Sequence, residues 1–529
     1  MNRRHCFLRF SSDLISRIMP IIIIAFYWGF WVVPAMALDP QIKGPVVSGP
    51  VIPGVSPEVA RLPVHQSMRG AVRTSSRGLQ SSGSIGISFD GIDIEGGGGY
   101  VPADTVGDVG PNHYVQMVNT AYAVYNKQGN LLVGPLPINQ LWQGQGNPCE
   151  ATNDGDPIVL YDRQADRWLI SQFSVEQGPP YYECIAVSQT PDPTGAYFLY
   201  AFSTEDAYPD YPKLGVWPDA YYMSTNEMDN EDFFKVGIYA FDRDKMLNGQ
   251  AATFQKFQVQ RNFMLPSDLD GSNPPPSGSP NYFYTMMDDT FWPGEGFPGE
   301  DRIEIWEFHV DFNNPANSTF ALTSSLPTES FDYLVCDSFD CIPQKGTTQR
   351  VDAIAEWPMH RFQYRNFGTH ETLLGNFTVE MDDFPGHAGI RWFELRKTDK
   401  EDWYIYQEGT HSPDAHHRWM GSIAMNGEGN IALGYSVSSE TLYPAIRYAA
   451  QYYWDPVGSL RDEVSVVEST ASQTKANRWG DYSSMNVDPA DDTTFWFTTE
   501  YISESGWWNT RINTIKLPGS IFMFPPPRQ

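Results

Sequence analysis

The chain has 529 residues, 41% hydrophobic and 14% aromatic, and its 64 acidic against 35 basic residues leave a net charge of −29. So acidic a chain is not drawn to nucleic acid or to an anionic bilayer surface. The acidity is read as solubility outside the cell, ahead of divalent-cation binding.

The first element is a targeting segment. Arg3, Arg4, Arg9 and Arg17 precede an apolar run from Met19 to Val33, and Ala35-Met36-Ala37 fits a small-residue cleavage site. Residues 1–37 are therefore expected to be a signal peptide, removed on export to the extracellular space or periplasm. The alternative, an uncleaved anchor, is disfavoured because the run is short for a span of about 20 residues. The segment carries four Arg and one Asp, so its loss takes the net charge from −29 to −32. No membrane contact is expected after cleavage.

Residues 38–84 are rich in Pro, Ser and Gly with no period of 2 or 3.6, which predicts an extended leader or linker. Gly96–Gly99 is a loop and not a nucleotide fingerprint, because no strand–turn–helix context surrounds it. Cys6 leaves with the signal. Cys149, Cys184, Cys336 and Cys341 remain, an even number in an exported chain. Three pairings are open, and the local one, Cys149–Cys184 with Cys336–Cys341, is preferred. No C-x-x-C motif suggests zinc or redox chemistry.

From about residue 100 a two-strand unit recurs. Each copy is a short apolar strand, an acidic or Gly/Pro turn, and a second strand rich in aromatic and β-branched residues. Copies centre on Tyr114–Tyr125, Pro157–Phe173, Lys213–Thr225, Asn281–Met287, Arg361–Phe377, Gly421–Val437 and Tyr482–Tyr501. Their turns fall roughly 55–60 residues apart, apart from one longer gap that holds Cys336 and Cys341 as an insertion. Further segments such as Tyr182–Ser188, Val236–Phe241, Arg302–Phe308, Ile390–Leu395 and Thr510–Ile515 alternate apolar and polar residues, as half-exposed outer strands do. Such units must stack to bury their faces. The expected fold is all-β, a single β-propeller over residues 85–529, with seven blades and six or eight as the alternatives.

The strings Gly155–Asp162, Tyr211–Tyr222, His417–Met425 and Arg478–Met485 resemble a family of secreted bacterial propeller proteins whose members are mostly hypothetical. The resemblance covers nearly all of residues 100–517 and implies no activity. More distantly the layout is similar to sialidase-like propellers, a group that holds glycosidases, lyases and binding proteins.

Loops leading into the innermost strands of a propeller line one mouth of its channel. His360-Arg361-Phe362, His417-Arg418-Trp419 and Asn477-Arg478-Trp479 share one signature there. Arg361, Arg418 and Arg478 would converge on a carboxylate, sulfate or phosphate, for which the guanidinium fork is suited. Sialidases bind a substrate carboxylate with three arginines, as the resemblance implies. The competing reading has each Arg paired with an acid such as Asp352, Asp414 or Asp481. Asp156, Asp210 and Asp481 are candidate acid, base or nucleophile of a glycosidase, Tyr482 or Tyr364 a candidate Tyr nucleophile, and His360 or His417 the candidate base of a lyase. Asp also caps turns routinely. Trp217, Trp292, Trp419 and Trp479 offer sugar-stacking faces or packing between blades. Metal signals are weak: Asp104-x-x-x-Asp108 and Asn153–Asp156 could offer oxygens to Ca²⁺, but neither is an EF-hand loop, and no metal site is assigned.

The functional expectation is a secreted monomeric propeller acting on or binding an extracellular, anionic glycan, as hydrolase or lyase. The alternative is a non-catalytic propeller that binds a surface polymer or a protein.

Overall fold

A computed structural model describes residues 42–62, 83–228, 235–261, 263–290, 299–335, 340–381, 387–398 and 401–518; the expected signal peptide, Cys336 and Trp292 lie outside them. The chain is an all-β propeller, and among the described residues its strands group into seven four-stranded units. Blade one comprises Val106–Val109, His113–Val118, Ala121–Asn126 and Leu131–Pro137. Blade two comprises Ile158–Asp162, Arg167–Ser174, Tyr181–Ser188 and Tyr197–Glu205. Blade three comprises Tyr208–Val216, Tyr221–Met228, Lys235–Phe241 and Phe254–Val259. Blade four comprises Leu265–Asp270, Asn281–Met287, Arg302–His309 and Thr319–Pro327. Blade five comprises Phe362–Asn366, Glu371–Glu380, Ala388–Thr398 and Glu401–His411. Blade six comprises His417–Met425, Ile431–Ser439, Leu442–Gln451 and Val464–Val467.

Blade seven is assembled from both ends of the described chain. Ser484–Val487, Phe495–Ile502 and Trp508–Lys516 are its inner strands, and Ser84–Asp93 pairs with Trp508–Lys516 as the fourth. The first strands of the blades touch in chain order, and that of blade seven returns to that of blade one. Blades four and five share one sheet, because Ser267–Asp270 runs parallel to and pairs with Phe362–Arg365.

The acidic turns have a local cause. Asp162 Oδ1 accepts from the N–H of Gln164 and Ala165 at 3.1 and 3.0 Å, and Asp491 Oδ1 accepts from Thr493 and Thr494 at 3.0 and 2.9 Å. Each carboxylate satisfies turn amides that the ladder leaves over. One expectation needs correction. The alternating segments expected at half-exposed outer positions are third strands, covered on both faces; Arg302–Trp306 is buried throughout. Glu304 on one of them is paired with Arg302 and Arg261. The leader is extended but docked: Ile42–Val47 pairs with the outer strand of blade three, and Gly54–Val55 with that of blade two.

Cys149, in the short helix Pro148–Ala151, is bonded to Cys184 in the third strand of blade two. Cys341 is also disulfide-bonded, and its expected partner, Cys336, lies outside the described residues. The insertion between blades four and five folds back across the loops of blades six and seven. Ser438 Oγ donates to Pro343 O at 2.6 Å, Gln344 Nε2 to Gln473 O at 2.9 Å, and Asp352 N to Asn477 O at 3.0 Å. Among the described residues no helix is long and apolar enough to cross a membrane.

Candidate functional site

The loops that enter the first strands of blades one, two and seven, and the head of the first strand of blade three, deliver four carboxylates to one mouth of the axis: Asp104, Asp156, Asp481 and Asp210. Lys213 stands among them, with its ammonium 3.3 Å from the ring centre of Tyr211 and 3.9 Å from that of Tyr482. The pairing register of blade three shifts between Asp210 and Lys213, a bulge that re-aims side chains at the strand head.

A backbone-anchored chain of hydrogen bonds fixes this layer. Asn119 Nδ2 donates to Asp104 Oδ2 at 2.5 Å, and Asp481 N donates to Asp104 Oδ1 at 2.8 Å. Asp156 N donates to Asn119 Oδ1 at 2.8 Å, and Tyr211 N to Asp156 Oδ2 at 3.1 Å. Asp104, Asp156 and Tyr211 all hold φ between 43° and 52°. Left-handed backbone at non-glycine residues is strained, and such strain gathers at functional sites.

The electrostatics follow from burial. Removal from water, with Asp481 and Asp156 as like-charged neighbours, raises Asp104 well above the usual carboxylate range. Burial lifts Asp156 to about 6 against the pull of Lys213. Burial and the Asp156 charge lift Asp210 to about 7. Burial lowers Lys213 to about 8, opposed by the surrounding aspartates. The insertion roofs the layer: Trp357 packs edge-on against Tyr211 at 4.3 Å, and burial pushes Asp352 up to about 7 and Glu356 to about 8. Asp156, Asp210 and Arg478 keep partial exposure and form the accessible side.

The structure brings together only some of the residues singled out from sequence. Asp156, Asp210, Asp481, Tyr482, His360 and Arg478 belong to the mouth. Tyr482 is buried and its hydroxyl donates to Pro157 O at 3.0 Å, so it is a packing residue and not an open nucleophile. His360 is buried, and burial holds it neutral, well below the usual imidazole range. Arg478 pairs with Asp481.

Arg361 and Arg418 do not join Arg478 around one anion. Arg361 is buried deeper along the axis, closed on Asp268 at 2.5 Å and Asp270 at 2.9 Å. Arg418 is buried and closed on Asp414 at 2.9 Å and Glu463 at 3.0 Å. Each guanidinium is satisfied within the fold, the competing reading of the repeated signature. Trp419 and Trp479 are buried against each other at 5.6 Å, and Trp217 is buried against Tyr364 at 4.7 Å. Tyr364 donates to Glu371 at 2.6 Å inside blade five. All four rings pack the core and present no sugar-stacking face.

His417 lies elsewhere, in a cleft of about 610 Å³ between the insertion and blade six with Arg350, His416, Ser439 and Glu440. Its Nδ1 accepts from Ala388 N at 3.2 Å, and burial with the nearby His387 lowers it to about 3. The oxygens expected for Ca²⁺ are largely spent on the fold. Asp108 accepts from Val109 N and Tyr161 N at 2.6 and 2.7 Å, and Asp154 from Val175 N and Glu176 N at 2.6 and 2.9 Å.

Lys213 is the central group that sequence reasoning passed over. Its signal was a lone cation in the otherwise apolar strand head Tyr211-Pro-Lys-Leu-Gly-Val, one residue-run after Asp210 and one repeat after Asp156.

No family model matches the chain, and no curated protein matches it. Among solved structures it is similar to the polysaccharide lyase Uly1, with 8% identity over 90% of this chain and 100% of that one, at a TM-score of 0.36. It is also similar to an exo-β-1,3-galactanase from Phanerochaete chrysosporium, with 10% identity over 82% and 98% of the two chains and a TM-score of 0.28. An α-L-arabinofuranosidase from Podospora anserina overlaps at 11% identity, 58% and 91% coverage and a TM-score of 0.26. Overlaps this shallow do not bear on the chemistry of this chain.

Proposed function

We propose that the protein is an exported hydrolase of an uncharged glycan, with its chemistry at the roofed mouth. The observation that carries this reading is the pair Asp156 and Asp210: both part-exposed, Asp156 held by the loop network and Asp210 set at the bulged head of its strand, and lifted to about 6 and about 7. Two carboxyls held at different proton affinities can divide the work of a glycosidase. Asp210, raised by burial and by the Asp156 charge beside it, gives a proton to the leaving oxygen. Asp156, favoured as the anion by Lys213, takes the part of base or nucleophile. Lys213 and Arg478 are outnumbered by the acids around them, which disfavours an anionic substrate. A lyase would need an open Tyr or His beside a free guanidinium, and neither His360 nor Tyr482 is open.

Export rests on the charge, apolar and small-residue order of residues 1–37 and on the disulfides, which persist in oxidising compartments. The test is a panel of neutral polysaccharides assayed for reducing ends with wild type, D156N and D210N. Each variant should lose 10²–10⁴-fold in rate, the usual worth of general acid–base catalysis, with its melting temperature kept. Turnover unchanged in both variants sinks the assignment. Binding without turnover by the wild type makes the protein a non-catalytic glycan-binding propeller.

A further inference from the structure

At the opposite end of the propeller, blade six carries a feature the mouth does not use. Leu442–Gln451 runs away from the mouth and ends in a loop, residues 452–463, beside the turn that joins the first two strands. There Tyr453, Trp454 and Val457 are 43%, 45% and 58% exposed, and among the described residues Trp454 is the one tryptophan so open to solvent.

This exposure is built, not incidental. The indole of Trp454 stacks on the buried ring of Tyr452, with centroids 4.8 Å apart and planes 16° from parallel. The Arg461 guanidinium lies 4.1 Å from the same Tyr452 ring and is held by both Asp455 oxygens at 2.6 Å. Tyr453 stands at 82° to the indole, 4.8 Å away. The backbone is pinned as well: Tyr453 N donates to Asn430 Oδ1 at 3.0 Å, Gly458 N to Gln407 Oε1 at 2.9 Å, and Arg461 N to Ala450 O at 2.8 Å. Tyr452 covers one indole face, and Trp454, between it and Tyr453, still lies 45% open to solvent.

We propose that this loop is a second glycan contact, a stacking platform for one or two neutral sugar rings, separate from the mouth. A pyranose offers a face of C–H groups that suits the electron-rich face of an indole, and its edge of hydroxyls suits a polar rim. Glu428, exposed on the adjoining turn, supplies acceptor oxygens there. Three side chains are far too small a patch for a stable protein interface, which needs about 800 Å² per partner. An overall charge of −29 opposes an anionic membrane surface. A preordered aromatic pair binds at little entropic cost. The choice of a glycan as ligand rests on the reading given for the mouth; the platform itself does not depend on catalysis there.

The experiment is calorimetric titration of the full mature protein with cellohexaose, xylohexaose, laminarihexaose and β-1,3-galactan fragments. Wild type should bind at least one of them. W454A should weaken that binding at least tenfold and W454F much less, with far-UV dichroism and melting temperature unchanged. D156N should bind at this loop as wild type does, which separates the platform from the catalytic proposal. No binding by wild type, or equal binding by W454A, overturns the inference. So does a W454A effect confined to self-association or to vesicles of phosphatidylcholine and phosphatidylglycerol.

Discussion

Replacing Arg361 by Met should destabilise the centre of the propeller without touching a ligand. Its side chain is 4% exposed, and it lies 2.5 Å from Asp268 and 2.9 Å from Asp270. Asp270 is wholly buried between Arg163, Arg361 and Arg365, and Arg365 also closes on Asp492 of blade seven at 2.7 Å. One residue thus belongs to a network that ties blades two, four, five and seven across the axis. Burial alone would raise Asp270; the three guanidiniums hold it well below the usual carboxylate range. Removing one partner of a buried pair leaves an uncompensated charge and costs about 3–5 kcal/mol. Several hundred residues unfold with an entropy of about 1 kcal/mol/K, so the melting temperature should fall by about 3–5 °C if the propeller melts as a unit. R361K should fall between, since Lys keeps the charge but not the fork. Asp270 has a depressed folded pKa, so its contribution is present above an unfolded pKa of about 3.9 and is lost as pH falls below it. The gap between wild type and R361M, followed by scanning calorimetry, should therefore narrow below about pH 4. A variant that melts within about 1 °C of wild type but has lost glycan binding would refute this account and restore Arg361 as a ligand residue.

Three further outcomes are expected. C149S/C184S should lose about 3–4 kcal/mol, because the bond closes a 35-residue separation in the unfolded chain; unchanged denaturant midpoints would contradict it. Glu183 is fully buried and lifted by burial to about 8, so its stabilisation is complete below about pH 4.5 and is lost as pH rises to 8. E183Q should then gain on wild type by up to about 1.4 kcal/mol per pH unit across that window, and parallel melting curves at pH 5 and 8.5 would argue against it. His417, held neutral down to about 3 chiefly by burial, contributes stability above about pH 6.5 that is lost on acidification; H417Q should flatten the melting-temperature profile between pH 6.5 and 4.

The blades were readable because each hairpin is local. Ile158–Asp162 and Arg167–Ser174 are joined by a turn whose own Asp162 satisfies it, and the sequence holds every part of that argument. The closing of blade seven was not, because Ser84–Asp93 and Trp508–Lys516 meet across more than 400 residues and neither strand names its partner. The arginine signature shows the same limit. His-Arg and Asn-Arg before an aromatic recur in blades five, six and seven; Asp414 and Asp481 lie close by in sequence, but the other acids that neutralise them lie elsewhere: Asp268 and Asp270 in blade four, Glu463 before the last strand of blade six. Spacing revealed that the arginines were equivalent in the repeat and was silent on whether their charge was spent. Lys213 was hidden for the opposite reason. Its string was legible as a repeat, and only the folded ring brings Asp104 and Asp481 round to it.

The way blade seven is completed also fixes when the molecule can be finished. During synthesis six blades emerge with all four of their strands, yet the ring stays a horseshoe until Trp508–Lys516 leaves the ribosome and captures Ser84–Asp93, made several hundred residues earlier. Until that moment the waiting strand and the flanks of blades one and six are open seams, able to pair with the wrong neighbour. Assembly is a clasp fastened last. A fragment that stops short of Trp508 keeps most of the chain and lacks the fastening.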